Sequence, residues 1–174
     1  MNTQKLPRFL VFGENIEDKL QFISSMKKCS KLYEMYLNDI NIPFIEYGYT
    51  NTIDDTLYQA IFILCPDIKY TDEIMKNEYF KNIFSYIVCS NYDQPIYKLQ
   101  QYNQLISKYS IYTYNDIYIW FINKKEDDIL LNIRNIDSYI FNENTHVDKI
   151  IDIIKIYYNS FSKNNNDDNT CFIL

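Results

Sequence analysis

The residues from Gly13 to Leu20 have types and spacing that could hold a phosphate group. Gly13 ends a short apolar run, and Lys19 follows at the distance set by the pattern G-x-x-x-x-G-K-[ST]. In that pattern, backbone N–H groups and the lysine cradle phosphates. The second glycine is Asp18 here, and the Mg²⁺-binding serine or threonine is Leu20. The stretch predicts a phosphate-binding loop with part of its chemistry replaced, and Gly13, Asp18, Lys19 and Leu20 are the candidate contacts.

Charge and coordination at this loop work against a nucleoside triphosphate. Asp18 would put a carboxylate beside the phosphates, with Glu14 and Glu17 nearby. Two like charges about 5 Å apart repel by roughly 3 kcal/mol at an effective dielectric constant of about 20. Leu20 offers Mg²⁺ no oxygen ligand. A strand-to-helix turn with solvated charges and no ligand is therefore an open alternative.

Two further polar groups are candidates for chemistry. Asn123, Lys124 and Glu126 follow an apolar run, and they form either a binding loop or a charged turn. His146 has no evident serine or cysteine partner, so we interpret it as a residue at the start of a helix. We assign no catalytic residue and no metal ligand.

Cys171 lies in the C-terminal sequence Cys-Phe-Ile-Leu. This is a C-a-a-X box ending in leucine, which predicts attachment of a geranylgeranyl lipid by a prenyltransferase and methylation of the new terminus. The residues before it contain no basic run and no second cysteine, and one lipid without a second signal predicts reversible membrane association. We expect the protein on the cytoplasmic side of a cellular membrane, foremost the plasma membrane, with a cytosolic fraction.

Composition limits the classes of function. The 174 residues carry a net charge of −6, which gives no general affinity for nucleic acid. The four cysteines are widely spaced and form no C-x-x-C pair, which fits reduced thiols in the cytosol. The length suffices for one domain with a core.

The order of apolar runs predicts the elements that position these residues. Residues 9–12, 84–89, 117–122 and 139–141 predict strands, and residues 44–51 and 57–65 predict a hairpin that turns at Asp54 and Asp55. Residues 19–37 predict an amphipathic helix. A capping box at 145–148 starts another helix, with one apolar face formed by Val147, Ile150, Ile151, Ile154 and Tyr158. Alternating buried strands and helices predict an α/β fold: a mostly parallel central sheet, one antiparallel edge strand and helices on both faces.

Taken in order, these motifs resemble those of a Ras-family small GTPase. Residues 13–19 take the place of the phosphate loop, and residues 123–126 are similar to the guanine-reading Asn-Lys-x-Asp. Asn142, Glu143 and Asn144 fall where the family has Ser-Ala-Lys. The family's effector segment, Pro-Thr-Ile-Glu, resembles Pro43, Phe44, Ile45 and Glu46.

The resemblance implies a Ras-like P-loop GTPase fold over residues 1–161, followed by a flexible tail over 162–174 that carries the prenylation box. It implies that Asn123 braces the base pocket, Lys124 lies along the guanine and Glu126 accepts its N–H groups. It also implies effector and regulator proteins as partners. Phe44 replaces a threonine that would sense Mg²⁺, and no water-positioning glutamine follows Cys65.

The leading expectation is a membrane-anchored, Ras-like signalling protein whose GTP and GDP binding and GTP hydrolysis are weakened or lost. The substitutions argue for weak nucleotide binding and against Mg²⁺ binding. Two alternatives stay open. One is a working GTP/GDP switch with atypical motifs, and the other is a pseudo-GTPase, a binding module that keeps the effector surface and senses no nucleotide.

Overall fold

A computed structural model describes residues 6–37, 40–66, 70–80, 83–91, 117–122, 140–141 and 146–167, together with residues 101 and 104. The strands are β1 (Arg8–Gly13), β2 (Cys29–Leu37), β3 (Ile40–Ile53), β4 (Thr56–Leu64), β5 (Ser85–Asn91), β6 (Ile117–Ile122) and β7 (Ile140–Phe141). The helices are α1 (Ile16–Ser25), α2 (Thr71–Lys76) and α3 (His146–Asp167), and a 3₁₀ turn spans Glu78–Phe80.

The described strands form one seven-stranded sheet in the order β2-β3-β4-β1-β5-β6-β7. β1 pairs in parallel with both β4 and β5, and the parallel part continues through β6 to β7. β2, β3 and β4 form an antiparallel meander at the other side. The predicted α/β class with a mostly parallel sheet is confirmed, and β2 extends the antiparallel edge beyond the predicted hairpin.

Both faces of the sheet are covered, as the continuous apolar run of β1 predicts. Phe9 and Val11 face a core cluster built with Phe22 of α1 and Ile154 of α3. The alternate residues of β1 face a second cluster, which includes Ile74 of α2. Side chains of a strand point alternately to opposite faces, so one strand anchors both cores.

The predicted helix over residues 19–37 is confirmed as far as Ser25 and is wrong beyond it. α1 ends at Ser25, and β2 begins at Cys29. The chain reverses through Lys27, which has a φ of 54°, and the N–H of Lys28 bonds the carbonyl of Met26. β2 then satisfies its backbone by pairing with β3, and this tertiary pairing overrides the helical periodicity of the sequence.

The hairpin prediction is confirmed. β3 and β4 pair from Ile45↔Leu64 to Ile53↔Thr56, and Asp54 and Asp55 form the turn with φ values of 49° and 60°. Left-handed φ at both central positions is the geometry of a tight hairpin turn, and aspartate tolerates it better than most residues.

α3 packs on the sheet through Ile150, Ile153, Ile154 and Tyr157. The hydroxyl of Tyr158 is also 3.1 Å from both the N and the O of Gln59 in β4. The helix continues past residue 161 to Asp167. The predicted boundary between domain and tail therefore falls inside this helix, and it stays a prediction. No helix within the described ranges is long and apolar enough to cross a membrane.

Candidate functional site

The connection from β1 to α1 is only two residues long. β1 ends at Gly13 and α1 begins at Ile16, so Glu14 and Asn15 form the whole connection. Lys19 therefore lies inside α1. In a phosphate-binding loop, the residues just before this lysine would still be loop and not helix. The first turn contains Glu17 and Asp18. The positive end of the helix dipole is thus compensated by carboxylates of the chain itself.

Lys19 is bound within the protein. Its side chain is 2% exposed, and its Nζ donates to the carbonyl oxygen of Gly13 at 3.2 Å and to that of Cys65 at 2.6 Å. These carbonyls lie at the carboxyl ends of β1 and β4, which are neighbours in the sheet. The ammonium group therefore joins two strand ends at the edge where α/β proteins bind ligands.

Asp18, next to Lys19 in the sequence, has a carboxylate that is only partly solvated. Its Oδ2 atom is buried and has no hydrogen-bond partner among the described residues. Desolvation raises the pKa of the Asp18 carboxyl above its ordinary value, and the side chain of Asn15 and the charge of Lys19 oppose the rise. A bound polyanion would add repulsion to a carboxylate that already lacks full solvation.

Gly13 is required for close packing. Neither glycine in the chain has a positive φ. A Cβ on Gly13 would lie 3.0 Å from the carbonyl oxygen of Cys89 and 3.3 Å from Cγ of Lys19. In the structure, the small size of Gly13 lets β5 and Lys19 approach β1, and its role as a phosphate contact stays a prediction.

The structure thus brings together three of the predicted phosphate contacts, Gly13, Asp18 and Lys19. Leu20 is a partly exposed residue of α1. Lys19 bonds the carbonyls of Gly13 and Cys65, whereas Oδ2 of Asp18 has no hydrogen-bond partner among the described residues.

The predicted effector residues Pro43, Phe44, Ile45 and Glu46 lie inside the sheet. They belong to β3, which is paired on one side with β2 and on the other with β4. Phe44 is 0% exposed, and its ring lies 4.9 Å from that of Phe80. Glu46 is 2% exposed. This placement differs from an accessible effector segment, because Phe44 and Glu46 are core residues.

The remaining predicted sites lie outside the described residues. These are the base-binding residues Asn123, Lys124 and Glu126, the segment 142–144 and the lipid acceptor Cys171. β6 ends at Ile122, directly before Asn123 in the sequence. Across the part of the chain that is described, no group of three or more His, Cys, Asp or Glu side chains could hold a metal ion.

Sequence reasoning missed a polar cluster that Arg8 and Tyr79 form around buried Glu46. Arg8 Nη2 lies 3.6 Å from Glu46 Oε1, and the Tyr79 hydroxyl donates to the same oxygen. A signal existed, because Phe44 and Glu46 are two positions apart in a strand and must face the same side. A glutamate beside a buried phenylalanine indicates a paired interior charge.

No protein-family model and no curated protein matches this sequence. Among solved structures, the chain is similar to the G domain of the FeoB iron transporter of T. maritima, with a TM-score of 0.57 and 10% identity. That match covers 88% of this chain and 99% of the G domain. The cytosolic domain of the same transporter, in GDP form II, gives a TM-score of 0.43 at 12% identity over 67% of this chain and 45% of that one, too loose a fit to support an argument.

At 10% identity, this similarity shows the fold alone. The similarity covers nearly the whole G domain, and it agrees with the mostly parallel sheet and its antiparallel edge. It does not single out the Ras family. The chain therefore shares the α/β fold of that G domain.

Proposed function

We propose that this chain is a pseudo-GTPase, a G-domain fold in which the phosphate site is closed and GTP and GDP binding and GTP hydrolysis are lost. The observation that carries the proposal is the position of Lys19. Its Nζ is buried and bonded to the carbonyls of Gly13 and Cys65. A phosphate group would have to compete for this ammonium group with two bonds already made.

The energetic cost of opening the site supports the proposal. A hydrogen bond from a charged group contributes about 1.5–3 kcal/mol, so releasing both carbonyls costs on the order of 3 kcal/mol or more. Repulsion between Asp18 and a phosphate adds roughly 3 kcal/mol. A sum on the order of 6 kcal/mol corresponds to about four powers of ten in the dissociation constant. Leu20 supplies no Mg²⁺ ligand to offset this cost.

The second candidate function is a working GTP/GDP switch with atypical motifs. Two features favour it: the similarity to a G-domain fold, and the spacing of Gly13 and Lys19, which is that of a phosphate loop. For this function, residues 16–18 would have to leave the first turn of α1 when nucleotide binds. Asn123, Lys124 and Glu126 would read the base.

Nucleotide content separates the two candidates. Protein purified under mild conditions is denatured, and the supernatant is chromatographed for GDP and GTP. We expect neither, and a single-turnover assay with Mg²⁺ should release phosphate no faster than buffer. A stoichiometric amount of either nucleotide, or turnover above buffer, would refute the pseudo-GTPase and favour the switch.

A loop variant tests the physical cause. Asp18→Gly with Leu20→Ser removes the carboxylate, loosens the first turn of α1 and restores a Mg²⁺ ligand. We expect fluorescent GDP to bind at least about tenfold more tightly, roughly 1.4 kcal/mol. Glu17→Gly with Leu20→Ser is the matched control, because it makes equivalent changes one position away. Equal affinity in both variants would mean that the Asp18 carboxylate is not what excludes phosphate.

We also propose that this protein acts in signalling at a membrane through a lipid anchor. The support is the C-a-a-X box, which would receive a geranylgeranyl group on Cys171 from a prenyltransferase. The protein would then divide between the cytoplasmic side of a membrane, foremost the plasma membrane, and the cytosol. Its effector and regulator proteins would bind without sensing nucleotide, at a surface other than buried Phe44 and Glu46.

A further inference from the structure

A partly buried ionic cluster, centred on buried Glu46, lies away from the phosphate-loop position. It consists of Arg8 in β1, Glu46 in β3 and Tyr79 in the 3₁₀ turn, and we call it the Glu46 cluster. Glu46 is almost wholly buried, and its Oε1 accepts a hydrogen bond from the Tyr79 hydroxyl and lies 3.6 Å from Nη2 of Arg8. A buried carboxylate requires such partners, because its charge is otherwise poorly solvated.

Tyr79 is held by its hydroxyl, its ring and its backbone. Besides the hydroxyl bond to Glu46, its carbonyl oxygen accepts a hydrogen bond of 2.7 Å from Nη1 of Arg8. The Arg8 guanidinium carbon lies 4.5 Å from the centroid of the Tyr79 ring, within cation–π distance. Burial raises the pKa of Tyr79, so the phenol keeps the proton that it donates. The Tyr33 hydroxyl, at the half-exposed outer end, lies 2.8 Å from that of Tyr79.

Tyr79 belongs to the segment 70–80, which contains α2 and the 3₁₀ turn. The segment also packs on the core, through buried Ile74 and Phe80 and through partly buried Tyr70 and Tyr79. It follows β4, whose carboxyl end is tied to Lys19 at Cys65. In a protein that switched on nucleotide, a segment following the strand next to the phosphate loop would need a ligand to order it.

We propose that the Glu46 cluster is a lock that holds the segment 70–80 on the sheet in one conformation, with protein groups doing what a ligand would do. The independence from nucleotide rests on the proposed function, whereas the lock itself does not. The competing explanation is that the burial of Ile74 and Phe80 holds the segment unaided, which would leave the cluster with no effect on its opening.

Amide hydrogen exchange of the full chain, read by mass spectrometry over residues 70–80, tests the lock. Tyr79→Phe removes only the hydroxyl, and Glu46→Gln removes the charge while keeping an acceptor. Tyr158→Phe is the matched control, because its hydroxyl bonds Gln59 on the opposite face of the sheet.

We expect exchange over residues 70–80 to rise about tenfold or more in Tyr79→Phe and Glu46→Gln, with strands β1 and β5 unchanged. Tyr158→Phe should leave these residues at the wild-type rate. Wild-type exchange in both cluster variants would overturn the lock, as would an equal rise in Tyr158→Phe. Should one cluster variant fail to fold, the other decides.

Adding GDP or GTP with Mg²⁺ to the wild-type chain separates this inference from the proposed function. We expect no change over residues 70–80. Protection by nucleotide would refute the proposed function, yet faster exchange in nucleotide-free Tyr79→Phe would still establish the lock. Unchanged exchange in the cluster variants would refute the lock and leave the proposed function standing.

Discussion

At the scale of single residues, the carboxylate of Asp18 faces two opposing effects. It lies in the first turn of α1, where a negative charge is favourable, and its Oδ2 is buried without a partner among the described residues. Its pKa is raised above the ordinary value, chiefly by desolvation. The folded protein therefore holds this proton more tightly than the unfolded chain does. The charged form destabilises the fold above the folded-state pKa, and this penalty disappears as pH falls below the ordinary value.

Asp18→Asn should accordingly raise the free energy of unfolding at neutral pH and give no gain at acid pH. Glu17→Gln controls for the loss of a charge near the helix N-terminus, since Glu17 is exposed. Urea unfolding at both pH values measures the two differences. A gain for Asp18→Asn that persists in acid would show that the carboxylate charge is not its source.

The two glycines offer a matched test of packing. Gly13→Ala would push a Cβ to 3.0 Å from the backbone carbonyl of Cys89, an atom that the sheet holds in place. Gly48→Ala would meet the side chain of Leu32 at 3.1 Å, and Leu32 is 51% exposed and free to turn away. We expect Gly13→Ala to lower the free energy of unfolding by about 1–3 kcal/mol and Gly48→Ala to cost less. Equal urea midpoints for the two variants would contradict this reason for Gly13.

The sequence singled out Gly13, Asp18 and Lys19 by their spacing. Their role as phosphate contacts stays a prediction, and the sequence could not predict the partners that they have in the structure. The bond from Lys19 to Cys65 was not predictable, because it joins residues distant in sequence and depends on where α1 begins. Because α1 begins at Ile16, Lys19 hydrogen-bonds the ends of two strands and does not extend into an open loop.

At the scale of elements, turns decided which predictions held. Asp54 and Asp55 are residues that tolerate left-handed φ, and the hairpin was predicted from them. The turn after α1 uses Lys27 at positive φ, and lysine carries no such signal. Residues 29–37 were therefore read as a continuation of the helix, whereas pairing with β3 makes them a strand.

The hairpin turn gives a prediction at this scale. Asp55→Val puts a β-branched residue at a φ of 60° and should lower the free energy of unfolding by about 1–2 kcal/mol. Thr52→Val, at an exposed position of β3 in the same hairpin, is the control and should change it little. Thermal or urea unfolding of both variants measures the difference. A similar loss in the two would mean that the turn backbone is not the cause.

At the scale of the whole molecule, the α/β class could be predicted because alternating buried strands and helices allow few arrangements. The extra strand β2 could not, since its signal competes with that of a helix. The similarity to a G domain agrees with the fold that the resemblance implies, and the phosphate-site and Ras-specific features remain predictions. Among these predictions, lipid anchoring is the one that would determine where the whole protein is located.

Cys171→Ser tests anchoring. Each buried lipid CH₂ contributes about 0.8 kcal/mol, so one geranylgeranyl chain should hold part of the protein at a membrane, against repulsion from the acidic tail. We expect wild-type protein in both membrane and cytosolic fractions, and Cys171→Ser in the cytosol alone. Thr170→Ser keeps the C-a-a-X box and should behave as wild type. An intact mass showing an unmodified chain that still ends in Leu174 would refute prenylation.

The meander of β2, β3 and β4 has a consequence for the order of folding. Its strands follow one another in sequence, whereas β1 pairs with β5 only after a much longer stretch of chain has closed. Closing a short loop loses less chain entropy, so local pairings form sooner.

We expect Ile63→Val in β4 to slow folding, with a kinetic φ-value (the fraction of the stability change already present in the folding transition state) of about 0.5–0.8. Ile87→Val in β5 should mainly speed unfolding, with a kinetic φ-value of about 0–0.3. Stopped-flow kinetics with the reverse ranking would contradict this order. On the ribosome, residues 29–64 emerge before β5 and could fold while the rest of the chain is still being made.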